Sequence, residues 1–141
     1  MSDLYGDDIV MWSERQAELL RRIAAGEPVN EAPDWPNIAE EIEDVGRSEL
    51  HSVESLLVQA LRHLLKAEAW PLSRDAPNWR ADAVDFRRQA RRRFVPSMRQ
   101  RIDVARLYAD ARAAVPASQD GLPPLPIQTE IPTLDELLSE D

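Results

Sequence analysis

The feature that most constrains this chain is a proline-free stretch between Pro36 and Pro71 that carries apolar residues at helical spacing. At 100° per residue Ile38, Ile42, Val45, Val53, Leu56, Ala60, Leu64 and Ala67 fall on one side of a single helix. Asp34 is placed to cap that helix, and Pro36 falls in its first turn, where a missing N–H costs nothing. The pattern extends to about Trp70. A continuous helix of this length would span roughly 50 Å and forms the central element of the expected fold. Gly46 interrupts the stripe, so a kink or break there stays open as an alternative.

Shorter helical patterns flank this element. The first is predicted from about Leu4 to Ala25, with Ser2 or Asp3 as cap and Gly26 as stop. Tyr5, Ile9, Trp12, Leu19, Leu20 and Ile23 gather on one side of it, with Gln16 inside that stripe and Asp8 at its border. Beyond Trp70, Pro71 to Pro77 reads as a connection and Asn78 as the cap of a third helix. Trp79, Ala83, Phe86, Ala90 and Phe94 make its apolar stripe, and Arg87, Arg88, Arg91 and Arg92 lie on the other face. Pro96 ends it, and Ser97 with Gln100 forms a capping-box pattern for a fourth helix burying Met98, Ile102, Ala105 and Ala109, with Tyr108 at the edge. Five prolines from Pro116 to Pro132 exclude a regular helix and predict an extended arm. Thr133 and Glu136 form a second capping box, so Leu134, Leu137 and Leu138 are predicted to make one short terminal turn. With no alternating strand pattern, the expected fold is all-α. It is a four-helix, bundle-like single domain over residues 1–115, with a Pro-rich arm over 116–141 that ends in a short helix.

Composition narrows the chemistry. A chain of 141 residues buries roughly two-thirds of the surface it exposes when unfolded, so it needs no disulfide or structural metal. The absence of cysteine excludes thiol catalysis and cysteine zinc sites. The acidic start does not resemble a signal peptide, and no apolar run reaches the ~20 residues of a membrane span, so a cytoplasmic location is expected. The net charge of −9 opposes general nucleic-acid binding. It is segregated: residues 1–70 hold 6 basic and 15 acidic residues, 71–115 hold 11 and 5, and 116–141 hold none and 6.

Several segments together resemble a known family. They are Asp3-Leu4-Tyr5 with Asp8 and Trp12, Asp34-Trp35, and above all the block from Asn37 to Glu49, Asn-Ile-Ala-Glu-Glu-Ile-Glu-Asp-Val-Gly-Arg-Ser-Glu. His63-Leu64-Leu65-Lys66, Trp79-Arg80, the run from Tyr108 to Arg112, and Thr133-Leu134 complete the likeness. The chain resembles the domain of unknown function 29 family of bacterial proteins along nearly its whole length. It departs at Ile131-Pro132, where an aromatic residue is expected before the Thr-Leu pair. The resemblance implies an all-helical fold and supplies no reaction, ligand or active-site residues.

The residues themselves offer three readings. The leading one is a protein-interaction or assembly module, meeting a partner or a second copy through the charge-segregated surface (Arg87, Arg88, Arg91, Arg92) and the arm. The second is a metal- or small-ligand-binding bundle using Glu41, Glu49 and His63, with Asp8 and Gln16. A divalent ion would sit on Glu49 and His63, although the Glu-x-x-His pattern of di-iron bundles is absent. No other cofactor is expected. The third is an antitoxin-like regulator or nucleic-acid binder acting through the arginines of the third helix. His51 and His63 are twelve residues apart, about 18 Å along a helix, and cannot share an ion within one chain. His51 is expected in solvent, and His63 facing inward.

Overall fold

The computed structural model describes residues 3–140. Among them the chain forms six α-helices, one 3-10 turn and no β-strand. The helices are α1 (Leu4–Asp7), α2 (Ile9–Ala24), α3 (Trp35–Ala69), α4 (Ala76–Arg93), α5 (Val104–Ala113) and α6 (Leu134–Leu138), and the 3-10 turn is Pro96–Met98. The chain divides into two compact units, one ending at Arg47 and one beginning at Ser48.

The long helix is continuous through Gly46. A glycine inside a helix costs only about 1 kcal/mol relative to alanine, and the other residues of α3 outweigh it. A Cβ at Gly46 would meet nothing within 4 Å, so no close approach demands a glycine there.

In the first unit the predicted single helix is instead two. Asp8 does not sit on the border of a stripe. Its carboxylate accepts the Met11 N–H at 3.0 Å and caps α2, which leaves α1 as one turn. Asp3 makes no side-chain cap bond, and the alternative cap, Ser2, lies outside the described residues. Trp12, Leu19 and Ile38 are buried. Asp34 joins the α2 and α3 segments of this unit: its carboxylate accepts from the Asn37 amide at 2.8 Å and from the Trp12 indole at 3.0 Å. These donors hold the Asp34 carboxyl below the usual carboxylate range, the Asn37 amide contributing most and partial burial opposing.

Two expected core residues are not in a core. Ile42 and Val45 are each 68% exposed. The packing of this unit stops one turn short of them: Tyr5 of α1 donates its hydroxyl to Glu41 at 2.6 Å.

The second unit has a continuous core of Val53, Leu57, Leu61, Leu65, Ala90, Met98, Ile102, Leu107, Tyr108, Ala111 and Leu137. A smaller cluster of Ala67, Ala69, Trp70, Ala76 and Trp79 adjoins α3's C-terminal end. Two clusters draw in two faces of α3, which is why the single-stripe prediction shifts. Leu57, Leu61 and Leu65 are central, whereas Leu56 is half-buried and Leu64 partly exposed. Helix α4 starts at Ala76 rather than after Asn78, and Pro77 lies in its first turn. The Ser97–Gln100 capping box does not form. Residues 96–98 make the 3-10 turn, and α5 starts at Val104 with Asp103 accepting the Arg106 N–H. The later start places Leu107, Tyr108 and Ala111 inside and leaves Ala105 and Ala109 exposed.

The proline-rich segment is bound to the second unit at named points. The Leu125 N–H extends the hydrogen bonding of α3 by donating to the Ala69 carbonyl at 2.9 Å. The Trp70 indole donates to the Leu122 carbonyl at 3.1 Å. Glu68 accepts the N–H groups of Gln128 and Thr129 at 2.8 and 2.9 Å. The terminal helix α6 has the capping box expected from Thr133 and Glu136, and its Leu137 enters the core.

Candidate functional site

The polar side chains singled out in the sequence go to separate partners. In the first unit, Asp8 caps α2, Gln16 is buried with its amide oxygen accepting the Asp34 N–H at 2.7 Å, and Glu41 accepts from Tyr5. The Glu41 hydrogen bond, with burial and neighbouring carboxylates adding to it, pushes the Tyr5 phenol up to about 12. In the second unit, Glu49 lies 3.6 Å from Arg93. His63 meets the Gln59 carbonyl through Nδ1 at 2.8 Å, approaches Asp82 at 3.8 Å through Nε2, and packs beside Phe86. Glu49 and His63 are fourteen residues apart on α3, about 21 Å along its axis. Among the described residues no three His, Asp or Glu side chains gather in a way that could hold a metal ion. His51 is exposed.

Arg87, Arg88, Arg91 and Arg92 of α4 divide into two pairs with different roles. Arg87 donates to the carbonyl oxygens of Leu137 and Glu136, each at 2.9 Å, and of Ser139 at 3.1 Å. Arg91 donates to the Ser139 carbonyl at 3.0 Å. Together they cap the C-terminal end of α6, whose last carbonyls lack helical partners and carry the negative end of the helix dipole. Arg99 adds an ion pair with Asp135 at 2.7 Å. This clamp was not anticipated. Its signal in the sequence is the i,i+4 pairing of Arg87 and Arg91 opposite a leucine-rich turn with no basic residue of its own.

Arg88 and Arg92 point elsewhere. With Ala81 and Val84 they follow the i, i+3, i+7, i+11 spacing of one helix face, and all four are exposed. Arg88 has Asp85 3.7 Å away. The result is a mixed apolar and basic stripe on the side of α4 opposite the buried Trp79, Ala83 and Ala90, bordering the arm clamp at Val84.

The first unit presents the complementary chemistry. Ile42 and Val45 are i,i+3 neighbours on α3, flanked on their own face by Glu41 and Glu49, while Glu40, Glu43 and Asp44 fall on the other side of the helix. Arg47 is held by all three carboxylates, including Glu40 at 2.8 Å and Glu43 at 3.3 Å. The exposed Ile42–Val45 face is therefore apolar at its centre with Glu41 and Glu49 at its rim, and the carboxylates bound by Arg47 lie around the helix from it.

The family described as "Domain of unknown function DUF29" matches residues 4–141. This chain belongs to the DUF29 family. A crystal structure at 1.45 Å of an α-helical protein of unknown function from Rhodospirillum rubrum ATCC 11170 is similar to this DUF29 chain. The two are 31% identical, the match covers 100% of this chain and 92% of the other, and the TM-score is 0.56. No protein with a curated description matches. The structural relative is α-helical, family and relative alike carry no assigned function, and no helix among the described residues is long and apolar enough to cross a membrane.

Proposed function

We propose that this DUF29 protein is an assembly module that self-associates, the acidic-rimmed Ile42–Val45 face of one copy meeting the basic Val84–Arg88–Arg92 stripe of another. The observation that carries this reading is the 68% exposure of both Ile42 and Val45 on an otherwise well-formed helix. Apolar residues at a helix's own core positions lose about 1.5–3 kcal/mol each by staying in water. A second surface that covers them recovers part of that. The stripe on α4 supplies both requirements, an apolar contact at Val84 and arginines for the acidic rim.

Each patch is small, so the contact belongs to the weak class below roughly 1,200 Å² and depends on concentration and salt. Sedimentation of the wild-type chain over a range of protein and salt concentrations tests this. Association is expected at low salt, weakening as salt rises. Arg88→Glu with Arg92→Glu is expected to abolish it, and adding Glu41→Lys with Glu49→Lys to restore it. Association untouched by the arginine substitutions would refute the pairing.

A further inference from the structure

Within the proline-rich arm, residues 122–126 read Leu-Pro-Pro-Leu-Pro, and all five are exposed. Proline fixes φ near −65° and has no N–H, so such a run winds as a polyproline II helix with three residues per turn. The ties between this main chain and α3 follow the same repeat. They fall at the Leu122 carbonyl, the Leu125 N–H and the Gln128 N–H, which meet the Trp70 indole, the Ala69 carbonyl and the Glu68 carboxylate. The segment starts from a tight turn in which Gln119 and Leu122 exchange two N–H···O bonds of 3.0 Å, with Asp120 and Gly121 at φ 53° and 78°. The main chain is thus held once per turn, while the leucine and proline side chains stay in water.

At three residues per turn Leu122 and Leu125 share one face, and Pro123 and Pro126 share the next. The result is two Leu-Pro pairs, about 9 Å apart. Pro124 falls on the third face with Ile127, which packs against the core. Leu122 is 62% exposed and Leu125 55%. Together with Pro123 they line a hollow of about 280 Å³ that Leu72, 98% exposed, also lines. Single exposed leucines are ordinary, whereas three around one hollow form a contiguous apolar patch.

We propose that Leu122–Pro126 is a docking strap for another protein whose groove is lined by aromatic rings, the two Leu-Pro pairs lying between those rings. The preset backbone lowers the ordering cost of such binding. Charge narrows the partner further. Residues 116–141 hold six acidic and no basic residues, and Asp120 and Glu130 are exposed on either side of the strap, so the rim of the groove is basic. The same charge opposes an anionic membrane surface. A second copy of this chain does not supply the groove, because Trp35 alone is exposed among the described aromatic side chains.

The test is a calorimetric titration of the full chain with an isolated SH3 domain, whose proline groove is aromatic-lined. The domain is used in two forms, one with an acidic groove rim and one with the rim residues changed to lysine. Saturable binding of the lysine form is expected, tighter than that of the acidic form. Pro123→Ala with Pro126→Ala should weaken it by about tenfold or more, whereas Pro124→Ala should leave it within about twofold. The Ile42→Asp, Val45→Asp chain should bind as the wild type does, which separates this contact from self-association. No saturable binding of the lysine form, equal binding of the two forms, binding that survives the paired proline substitution, or an equal loss from Pro124→Ala would overturn the proposal.

Discussion

Ile42 and Val45 lie on the same helix as Val53 and Leu57, yet the first pair is 68% exposed and the second is wholly buried. The local sequence does not distinguish them, since both pairs are apolar and spaced for a helix. The difference lies in what surrounds each pair. Around Val53 and Leu57 the second unit supplies α4, the 3-10 turn, α5 and the clamped α6. Around Ile42 and Val45 the first unit supplies only a short helical hairpin, whose packing ends at the Tyr5–Glu41 hydrogen bond. One unit closes its core within the chain, while the other leaves an apolar face bordered by carboxylates.

The largest expected effect comes from the closed core. Leu57→Ala should cost about 2–5 kcal/mol of unfolding free energy, because a fully buried leucine leaves a cavity as well as a lost transfer term. Urea unfolding measures it, and a cost under 1 kcal/mol would break the contrast between the two units. Next is the clamp. Arg87→Ala removes charge-assisted hydrogen bonds worth about 1.5–3 kcal/mol. Hydrogen exchange should show that loss concentrated at Leu137 and Leu138, with protection at Leu61 largely kept.

A smaller effect is expected at the arm's other tether. Burial pushes the Glu68 carboxyl up, but the Gln128 and Thr129 N–H groups, the Thr129 hydroxyl and the Arg112 charge outweigh it and hold it below its ordinary value. A depressed carboxylate contributes stability that is complete above its unfolded value of about 4.3 and is lost as pH falls through the folded value. Acidification below pH 4 should therefore loosen residues 128 and 129, and Glu68→Gln should make that loosening insensitive to pH. The smallest effect is spectroscopic. Tyr5 should ionise near 12, and Glu41→Gln should bring it back towards about 10. The raised value means that the Tyr5–Glu41 contribution is whole below pH 10 and disappears as pH rises through 12. Ultraviolet titration of the phenolate, with Tyr108→Phe to isolate Tyr5, measures this.

Much of the fold was legible because it follows from local rules. Pro36 and Pro71 bracket the long helix, and the Thr133–Glu136 box announces the terminal turn. Asp8 differs from its expected place because a residue that fits the edge of a helical stripe can equally cap the next helix, and only the Met11 N–H distinguishes the two. The face of α3 shifted to Leu57 and Leu61 because burial there is set by two clusters from distant parts of the chain. The carboxylates and His63 suggested a shared site, but a stripe records direction around a helix and says nothing about which partner will be there. Tyr5 and Arg93 took up Glu41 and Glu49. The division of the α4 arginines was equally hidden, since it depends on where α6 docks.

Self-association through the exposed face of α3 is read out by the molar mass of the chain in solution. Light scattering on the wild type and on the Ile42→Asp, Val45→Asp double variant is the measurement. For the wild type the mass is expected to rise with protein concentration at low salt. The variant should stay monomeric, with unfolding stability within about 0.5 kcal/mol of wild type, as expected for exposed positions. A wild-type chain that stays monomeric at every concentration and salt level, or a variant that associates as the wild type does, would contradict it.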